Sequence, residues 1–308
     1  MEHRLTKKQQ KKYFYSIGPY YDPVLSVFPG DKIIVETVDA FEGKIIDSTM
    51  KASDVVQLPF VNPLTGPIFI NGAEIGDTLI VNIESIKPRG PQPRGTVCLQ
   101  KYFGALSPFS KSLSEPLPEI VKKLNITEDG VYWNSNLVLP YEPFIGTIGT
   151  SPYIYSIDSL TPDSHGGNMD LPDIAPGATL YLPVRVDGAL LFLGDCHACQ
   201  GDGELCGVAV EFPSETTIQI DLIKQQMIQW PYLETNDFIM GIGSARPLED
   251  AVKIAYDVLL QLMIDRYSFD KWDAYLLVSQ VGRIRVGNVV DPKYTVGASI
   301  LKKYLNYE

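Results

Sequence analysis

The sequence has little histidine and little cysteine, three and four residues in 308. Four cysteines in a chain this long do not make a disulfide framework, which fits a reducing compartment. Apolar runs are short. Stretches such as Ala189 to Leu193 fall far below the roughly 18–20 residues that span a bilayer. Positive charge is the minority: 26 Lys and Arg stand against 37 Asp and Glu, a net charge of -11. An acidic surface repels phosphate backbones, so a nucleic-acid partner is not expected. The N-terminus is polar and has no apolar core of a secretory signal. A cytoplasmic protein with neither membrane nor nucleic-acid partner is the expectation.

What is abundant is glycine (25) and proline (23), set between short β-branched runs. This points to a mainly β chain of sandwich or barrel units. One pattern occurs three times: Pro29-Gly30-Asp31 before Lys32 to Val38, Ile75-Gly76-Asp77 before Thr78 to Ile83, and Pro176-Gly177-Ala178 before Thr179 to Val184. Each is a glycine turn followed by a strand with alternating apolar residues. Leu117 to Tyr141 reads as a β-meander, with an Asp129-Gly130 hairpin signal. The first 27 residues show weak periodicity, and Lys7 to Lys12 reads as a solvated end, with His3 frayed. One long helix is expected from near Pro247 to near Arg266, burying Val252, Ala255, Leu259 and Leu262. A shorter helix follows from about Phe269 to Leu277 with Ser268 as its cap, then strands at Arg283 to Val286 and Val289-Val290. The expected organisation is a β-rich body over 1–225, divisible near 90–150, and a small C-terminal α+β module over 226–308.

The other two histidines sit in glycine-rich polar segments beside apolar strands, where sites are commonly placed. His165 precedes Gly166-Gly167-Asn168-Met169-Asp170. His197 lies within Gly194-Asp195-Cys196-His197-Ala198-Cys199-Gln200-Gly201-Asp202-Gly203-Glu204. Imidazole with carboxylate is the usual ligand set for zinc and similar ions. Asp195 and His197 share a face on a regular strand. Glu211 follows the next expected strand, Val208 to Val210, and His165 and Asp170 could join from the other segment. Asp39 is a further acidic position at a strand end. The bland alternative has both histidines hydrogen-bonding loop backbone. Zinc is the first metal expected and calcium the second.

Cys196-x-x-Cys199 with Cys206 nearby offers structural zinc, a nucleophile or plain packing. A zinc ribbon lacks its second pair, because Cys98 stands alone. The glycines from 201 to 207 superficially resemble a dinucleotide loop. A strand rather than a helix follows, which removes the pyrophosphate site. Gly146 to Gly149 reads as a turn or a pocket border. The carboxylates Asp39, Glu42, Glu142, Asp202 and Glu204 are solvated surface groups unless several converge on one pocket.

The segment from Gly194 to Glu204 resembles the Gly-Asp-x-His-Ala-x-Gln-Gly-Asp-Gly-Glu motif of the acetamidase/formamidase family. His165 to Asp170, Asn62 to Pro67, Asn71 to Asp77, Pro143 to Gly149 and Ser279 to Val290 are similar to its other segments, in family order over about residues 20 to 300. The resemblance implies a β-rich fold with a small α+β end and hydrolysis of short amides to carboxylate and ammonia. It also implies a metal site and a homodimer or larger assembly. It carries over Asp195 and His197 first, then His165, Asp170, Gln200 and Glu204. Cys196 and Cys199 occupy variable positions of the motif. On this reading Glu142, Glu204 or Asp202 handles the proton of an attacking water. Gly166, Asn168, Phe144 and Gln200 contact the substrate, and Tyr153 lines its pocket. The rival readings are a non-catalytic metal or small-molecule binding protein and a hydrolase of another small amide such as a lactam.

Overall fold

The structure, a computed structural model, describes residues 1–107 and 115–305. It is mainly β. The largest unit is a nine-stranded sheet in the order Glu2–Leu5, Lys32–Glu36, Ser214–Ile223, Thr78–Pro88, Thr179–Pro183, Tyr232–Glu234, Phe238–Ala245, Tyr294–Leu301, Arg283–Asn288. It therefore runs continuously across residue 225. The three glycine turns all deliver strands to this sheet. Gly30, Gly76 and Gly177 have φ of 86°, 97° and 92°, a backbone region where a Cβ is penalised although the space around them is open.

A five-stranded sheet, in the order Gly166–Asn168, Phe144–Gly149, Leu191–His197, Leu64–Ile70, Leu25–Val27, packs on the large one. Their shared core takes Ile33, Leu79, Leu180 and Ile220 from one sheet and Ile68, Ile145, Leu191 and Cys196 from the other. Two apolar faces closing on each other is the sandwich solution for strands with period-2 patterning. The meander forms as expected, with strands Ile120–Thr127, Gly130–Asn134 and Leu137–Leu139 joined by Arg94–Leu99. Residues 108–114 lie outside the described chain.

Several expectations need correction. The N-terminus is not frayed: Glu2–Leu5 pairs in parallel with Lys32–Glu36, and His3 Nε2 lies 2.8 Å from Asp31. Thr6 and Gln9 form a capping box on a one-turn helix, Lys7–Gln10, and the buried Gln10 side chain bonds the backbone of Gly66. The long helix is Leu248–Tyr267. Its buried stripe starts at Ala251 rather than Val252. The second helix is Lys271–Val281, capped by Asp270, whose carboxylate accepts from the Trp272 and Asp273 amides. Ser268 instead ends the first helix in a left-handed conformation. Val289-Val290 is a turn, and Tyr294–Leu301 is the partner strand of Arg283–Asn288. Val208 to Val210 runs outside any regular strand, although Val210 exchanges backbone hydrogen bonds with Ala198 and Cys199 and Glu211 forms isolated bridges.

Gly241 and Gly243 in strand Phe238–Ala245 let the long helix lie directly on the sheet. A Cβ at Gly241 would sit 2.4 Å from the Ala255 carbonyl oxygen, and one at Gly243 2.5 Å from that of Ala251. We expect Gly241→Val to destabilise the chain by at least the ~1–3 kcal/mol of core overpacking. Denaturant titration reads this directly, and an unchanged midpoint would contradict the close helix–sheet contact.

Candidate metal and active site

Strand Leu191–His197 is buried at every residue, because Phe144–Gly149 and Leu64–Ile70 flank it on either side. Asp195 departs from strand geometry at φ 52°, and the residue facing it is Gly146. A Cβ there would meet the Asp195 carbonyl oxygen at 2.6 Å and its Oδ2 at 2.9 Å. Gly146 is thus a close-approach position within a strand, not a turn. Asn62, Asp170 and Glu204 also hold positive φ, at 51°, 46° and 47°. Four left-handed non-glycine residues around one spot are strain held by the surrounding fold.

Hydrogen bonds orient the side chains. Asn62 Nδ2 donates to Asp195 Oδ2 at 2.8 Å, and Thr147 Oγ1 lies 3.2 Å from the same oxygen. Thr147 also bonds Asn168 Oδ1. Both hydrogens of Asn168 Nδ2 are used, on Asp170 Oδ2 at 2.9 Å and Asp291 Oδ2 at 2.8 Å. Gln200 Nε2 spends its two hydrogens on the carbonyls of Asp170 and Gly287, both at 2.9 Å. Its oxygen must then face His197 Nδ1, 3.0 Å away. Nδ1 therefore carries a proton, which leaves Nε2 as the acceptor end of the ring. The Phe144 ring meets the imidazole edge-on at 4.9 Å.

That acceptor end points at other acceptors. His197 Nε2 is 3.4 Å from Asp195 Oδ1 and 3.3 Å from Glu211 Oε1. Among the described residues, His197 Nε2, Asp195 Oδ1, Asp170 Oδ1 and Glu211 Oε2 are buried without a hydrogen-bond partner. Buried acceptors left facing one another are unfavourable unless a proton or a metal ion lies between them. Burial, followed by neighbouring charge, raises Asp170 and Glu204 well above the ordinary carboxylate range. The same causes bring Glu211 to about 7. Burial also lifts Asp291 to about 7, against its hydrogen bonds. Burial pulls His197 down, but Glu211 and Asp195 outweigh it and the ring ends well above its usual value. The cluster thus holds protons in places a metal ion would take. Ligand atoms of Asp170, Asp195 and His197 lie within 4.8 Å of one another, as do those of His197, Glu204 and Glu211. Imidazole and carboxylates at this spacing fit a divalent ion of the zinc type.

Asp195, Glu204, Glu211, Asn62, Asn168 and Asp291 open onto a cavity of about 470 Å³, whose other walls include Phe41, Val56, Val61, Phe103 and Val208. Six of the expected site residues therefore converge: Asp195, His197, Asp170, Glu204, Glu211 and Asn168, with Gln200 and Phe144 fixing the imidazole. Others do not. Glu142 is exposed and does not line the cavity. Asp202 is exposed and pairs with Arg285. The buried carboxylate of Asp39 accepts from the amides of Phe41 and Gly43, closing its own turn. The Gly166 amide, expected to contact the substrate, is taken by the Asp163 carbonyl. Tyr153 is exposed and away from the cavity wall. His165 is buried apart from the cluster, against Gly149 and Gly167. Cys196 faces the inter-sheet core beside Thr216. Burial raises all four thiols, Cys98 to about 12 and Cys199 to about 11, which suits packing and not a thiolate nucleophile.

Asp291 lies outside every segment singled out in the sequence, and Asn62, Thr147 and Asn288 enter only as parts of motifs. Asn288 Nδ2 lies 3.4 Å from Asp170 Oδ2, and the Asp291 amide 3.4 Å from Asn288 Oδ1. The available signal was the Asn288 to Pro292 turn, with Asn288 and Asp291 between two strands.

A family model described as the acetamidase/formamidase family matches residues 2–161 and 155–300. A crystal structure of acetamidase from Yersinia enterocolitica superposes with a TM-score of 0.97 at 53% identity, covering 100% of this chain and 94% of that one. The acetamidase of Mycolicibacterium smegmatis is 30% identical over 72% of this chain and 68% of its own length. The formamidase of Methylophilus methylotrophus is 28% identical over 65% of this chain and 61% of its own length. The chain thus spans about two thirds of the curated relatives it matches.

The buried His165 gives a prediction with a definite sign. Among the described residues neither ring nitrogen has a hydrogen-bond partner, and burial lowers its pKa from 6.5 to about 4. The folded state therefore holds this ring neutral while the unfolded state takes up its proton first. Stability from His165 is complete above pH 6.5 and is lost as pH falls toward 4, by ~3 kcal/mol in all. The raised carboxylates act in the opposite sense, so the difference between the parent chain and His165→Leu is the quantity to measure. That difference should shrink or reverse between pH 6.5 and 4; a pH-independent difference would show that the ring does not titrate this way.

Proposed function

The chain belongs to the acetamidase/formamidase family, and on that premise we propose that it hydrolyses a small linear carboxamide to carboxylate and ammonia in the cavity beside His197. The observation that carries this reading is the set of buried, unpartnered ligand atoms of His197, Asp195, Asp170 and Glu211, of which Asp195 and Glu211 reach the wall of a mainly apolar cavity. A divalent ion held by Asp170, Asp195 and His197, zinc first, would polarise a carbonyl and lower the pKa of water from about 15.7 toward about 7.

The chain's own groups do the rest. Gln200 keeps the His197 ring in the tautomer with Nε2 free. Glu211 is the general base: its Oε1 is anchored by the Ala209 amide at 3.0 Å, while its Oε2 is unpartnered and takes the water proton. Returned to the departing nitrogen, that proton turns a poor leaving group into ammonia. Glu211 is preferred to Glu142 in this role because Glu211 lines the cavity and Glu142 does not, and to Glu204, which also lines it, because Glu211 Oε2 is the unpartnered oxygen. The apolar walls lower the local dielectric and so strengthen each charge beside them. No helix of the described residues is long and apolar enough to cross a membrane. A homo-oligomer remains part of the proposal, supported by Trp272, Tyr275 and Leu276, 64%, 59% and 65% exposed beside one another on Lys271–Val281.

The cavity volume favours one refinement. About 470 Å³ lies in the range of pockets that hold drug-sized ligands, roughly 300–1,000 Å³, and more than formamide or acetamide fills. Ammonia release from formamide, acetamide, propionamide and hexanamide should show kcat/KM rising with chain length, by about fourfold per buried methylene. Chelation should abolish turnover and zinc restore it. Glu211→Gln should lower kcat by about 10²–10⁴-fold while retaining the metal. No ammonia from any linear amide, with zinc present, would contradict the proposal in favour of a lactam substrate or a binding protein.

A further inference from the structure

The cavity beside His197 also carries positive charge on its wall. Lys101 and Arg246 both line it. Lys101 is paired, 3.3 Å from Glu119 Oε2. Two cations on the C-terminal hairpin are paired as well: Lys293 with Asp163, and Arg285 with Asp173 at 3.1 Å. Arg246 is different. Among the described residues its guanidinium meets neither a carboxylate nor a hydrogen-bond acceptor. Its contact is the face of Tyr294, with the guanidinium carbon 4.7 Å from the ring centroid.

The fold fixes this placement. Strand Phe238–Ala245 ends immediately before Arg246, and Ala245 is the register partner of Tyr294 in the neighbouring strand. Arg246 and Tyr294 therefore stand at the same end of one strand pair. The turn that enters Tyr294 carries Asp291 and Pro292, which line the same cavity. A guanidinium laid on an aromatic face keeps its in-plane N–H groups free. That free fork matches a carboxylate, which it can hold by two parallel hydrogen bonds. Arg246 is exposed while lining the cavity, so its fork sits where the cavity meets solvent. The cavity volume of about 470 Å³ leaves room for a tail beyond the amide.

We propose that Arg246 is a specificity-determining residue, and that the substrate it selects is a carboxamide whose other end carries a carboxylate, the monoamide of a short dicarboxylic acid. The amide lies at the His197 cluster and the carboxylate on the Arg246 guanidinium. This rests on the amide reading above and narrows it. The net charge of -11 on the chain repels a free anion, but at about 0.15 M salt that field is screened beyond about 8 Å. Arg246 acts on the tail at contact distance, where screening is weakest. A neutral tail of the same shape leaves the fork without its charged partner, so charge separates the two substrates where length does not.

The test compares shape-matched pairs on the full-length, zinc-loaded protein at about 0.15 M salt: succinamate against succinamide, and glutaramate against glutaramide. Initial ammonia release gives kcat/KM, with the twofold advantage of two reactive ends allowed to each diamide. Calorimetric titration in a Glu211→Gln background gives Kd without reliance on turnover. In at least one pair the parent should favour the anionic member by about tenfold in both measures, the size of one hydrogen-bonded charge pair. Arg246→Gln should bring that ratio to about one, and Arg246→Glu should invert it. A merely structural role for Arg246 would lower both members together and leave the ratio where it was. Equal binding and turnover of both members by the parent would overturn the proposal, as would an anionic preference that survives Arg246→Gln in protein of native circular dichroism. Anionic preference in binding, lost with Arg246 but without ammonia from any amide, would fail the amide reading and keep the Arg246 site. Ammonia from neutral amides with no anionic preference would fail the Arg246 site alone.

Discussion

Charged and acceptor groups removed from water must be compensated nearby, and this chain removes five carboxylates and one imidazole nitrogen at a single place. Much of the local geometry answers that requirement. Asn62, Asp170, Asp195 and Glu204 hold left-handed backbone conformations that direct their side chains to one centre. Asn168 and Gln200 use all their amide hydrogens, and so fix the rotations of Asp170, Asp291 and His197. Glycines stand where any side chain would displace a residue of the cluster, Gly146 against Asp195 and Gly287 against the carbonyls of Met169 and Asp170.

The two-sheet body gives that centre its rigidity. The five-stranded sheet supplies Asp195, His197, Thr147 and Asn168 from three adjacent strands. Its opposite face, with Cys196 and Ile145, is locked into the core of the nine-stranded sheet. The C-terminal helices stay outside this arrangement, yet the hairpin after them returns Asn288 and Asp291 to the cluster. The site thus closes only when the chain's last strands are in place. Side chains on strands backed by a packed core hold position better than side chains on loops, and metal centres need that precision.

Much of the fold was legible because period-2 alternation and glycine turns are local signals. The three glycine turns and the meander needed no tertiary information. Helix ends were misjudged where two caps competed: Asp270 offers a carboxylate to two amides, and Ser268 serves the preceding helix instead. Asp195 and His197 were legible as an i, i+2 pair in a polar end of an apolar strand. Gly146 was read as a turn because glycine frequency alone does not distinguish a turn from a close approach. Asp291 was not legible, since an aspartate before proline between strands looks like an ordinary solvated turn. Asp39 and Glu142 show the converse, acidic residues at suggestive places that close a turn or face solvent. Convergence of carboxylates is a property of the fold, and local sequence does not report it.

The proposed chemistry depends on His197 Nε2 and the unpartnered oxygens of Asp195 and Asp170 being metal ligands, with Glu211 left as the base. The most direct measurement is a crystal structure of zinc-loaded protein with anomalous data collected on both sides of the zinc edge. A zinc peak is expected about 2.0–2.1 Å from His197 Nε2 and about 2.0–2.2 Å from oxygens of Asp195 and Asp170. A zinc peak at His165 or at the cysteines, with His197 Nε2 instead protonated and bonded to Glu211 or Asp195, would contradict it.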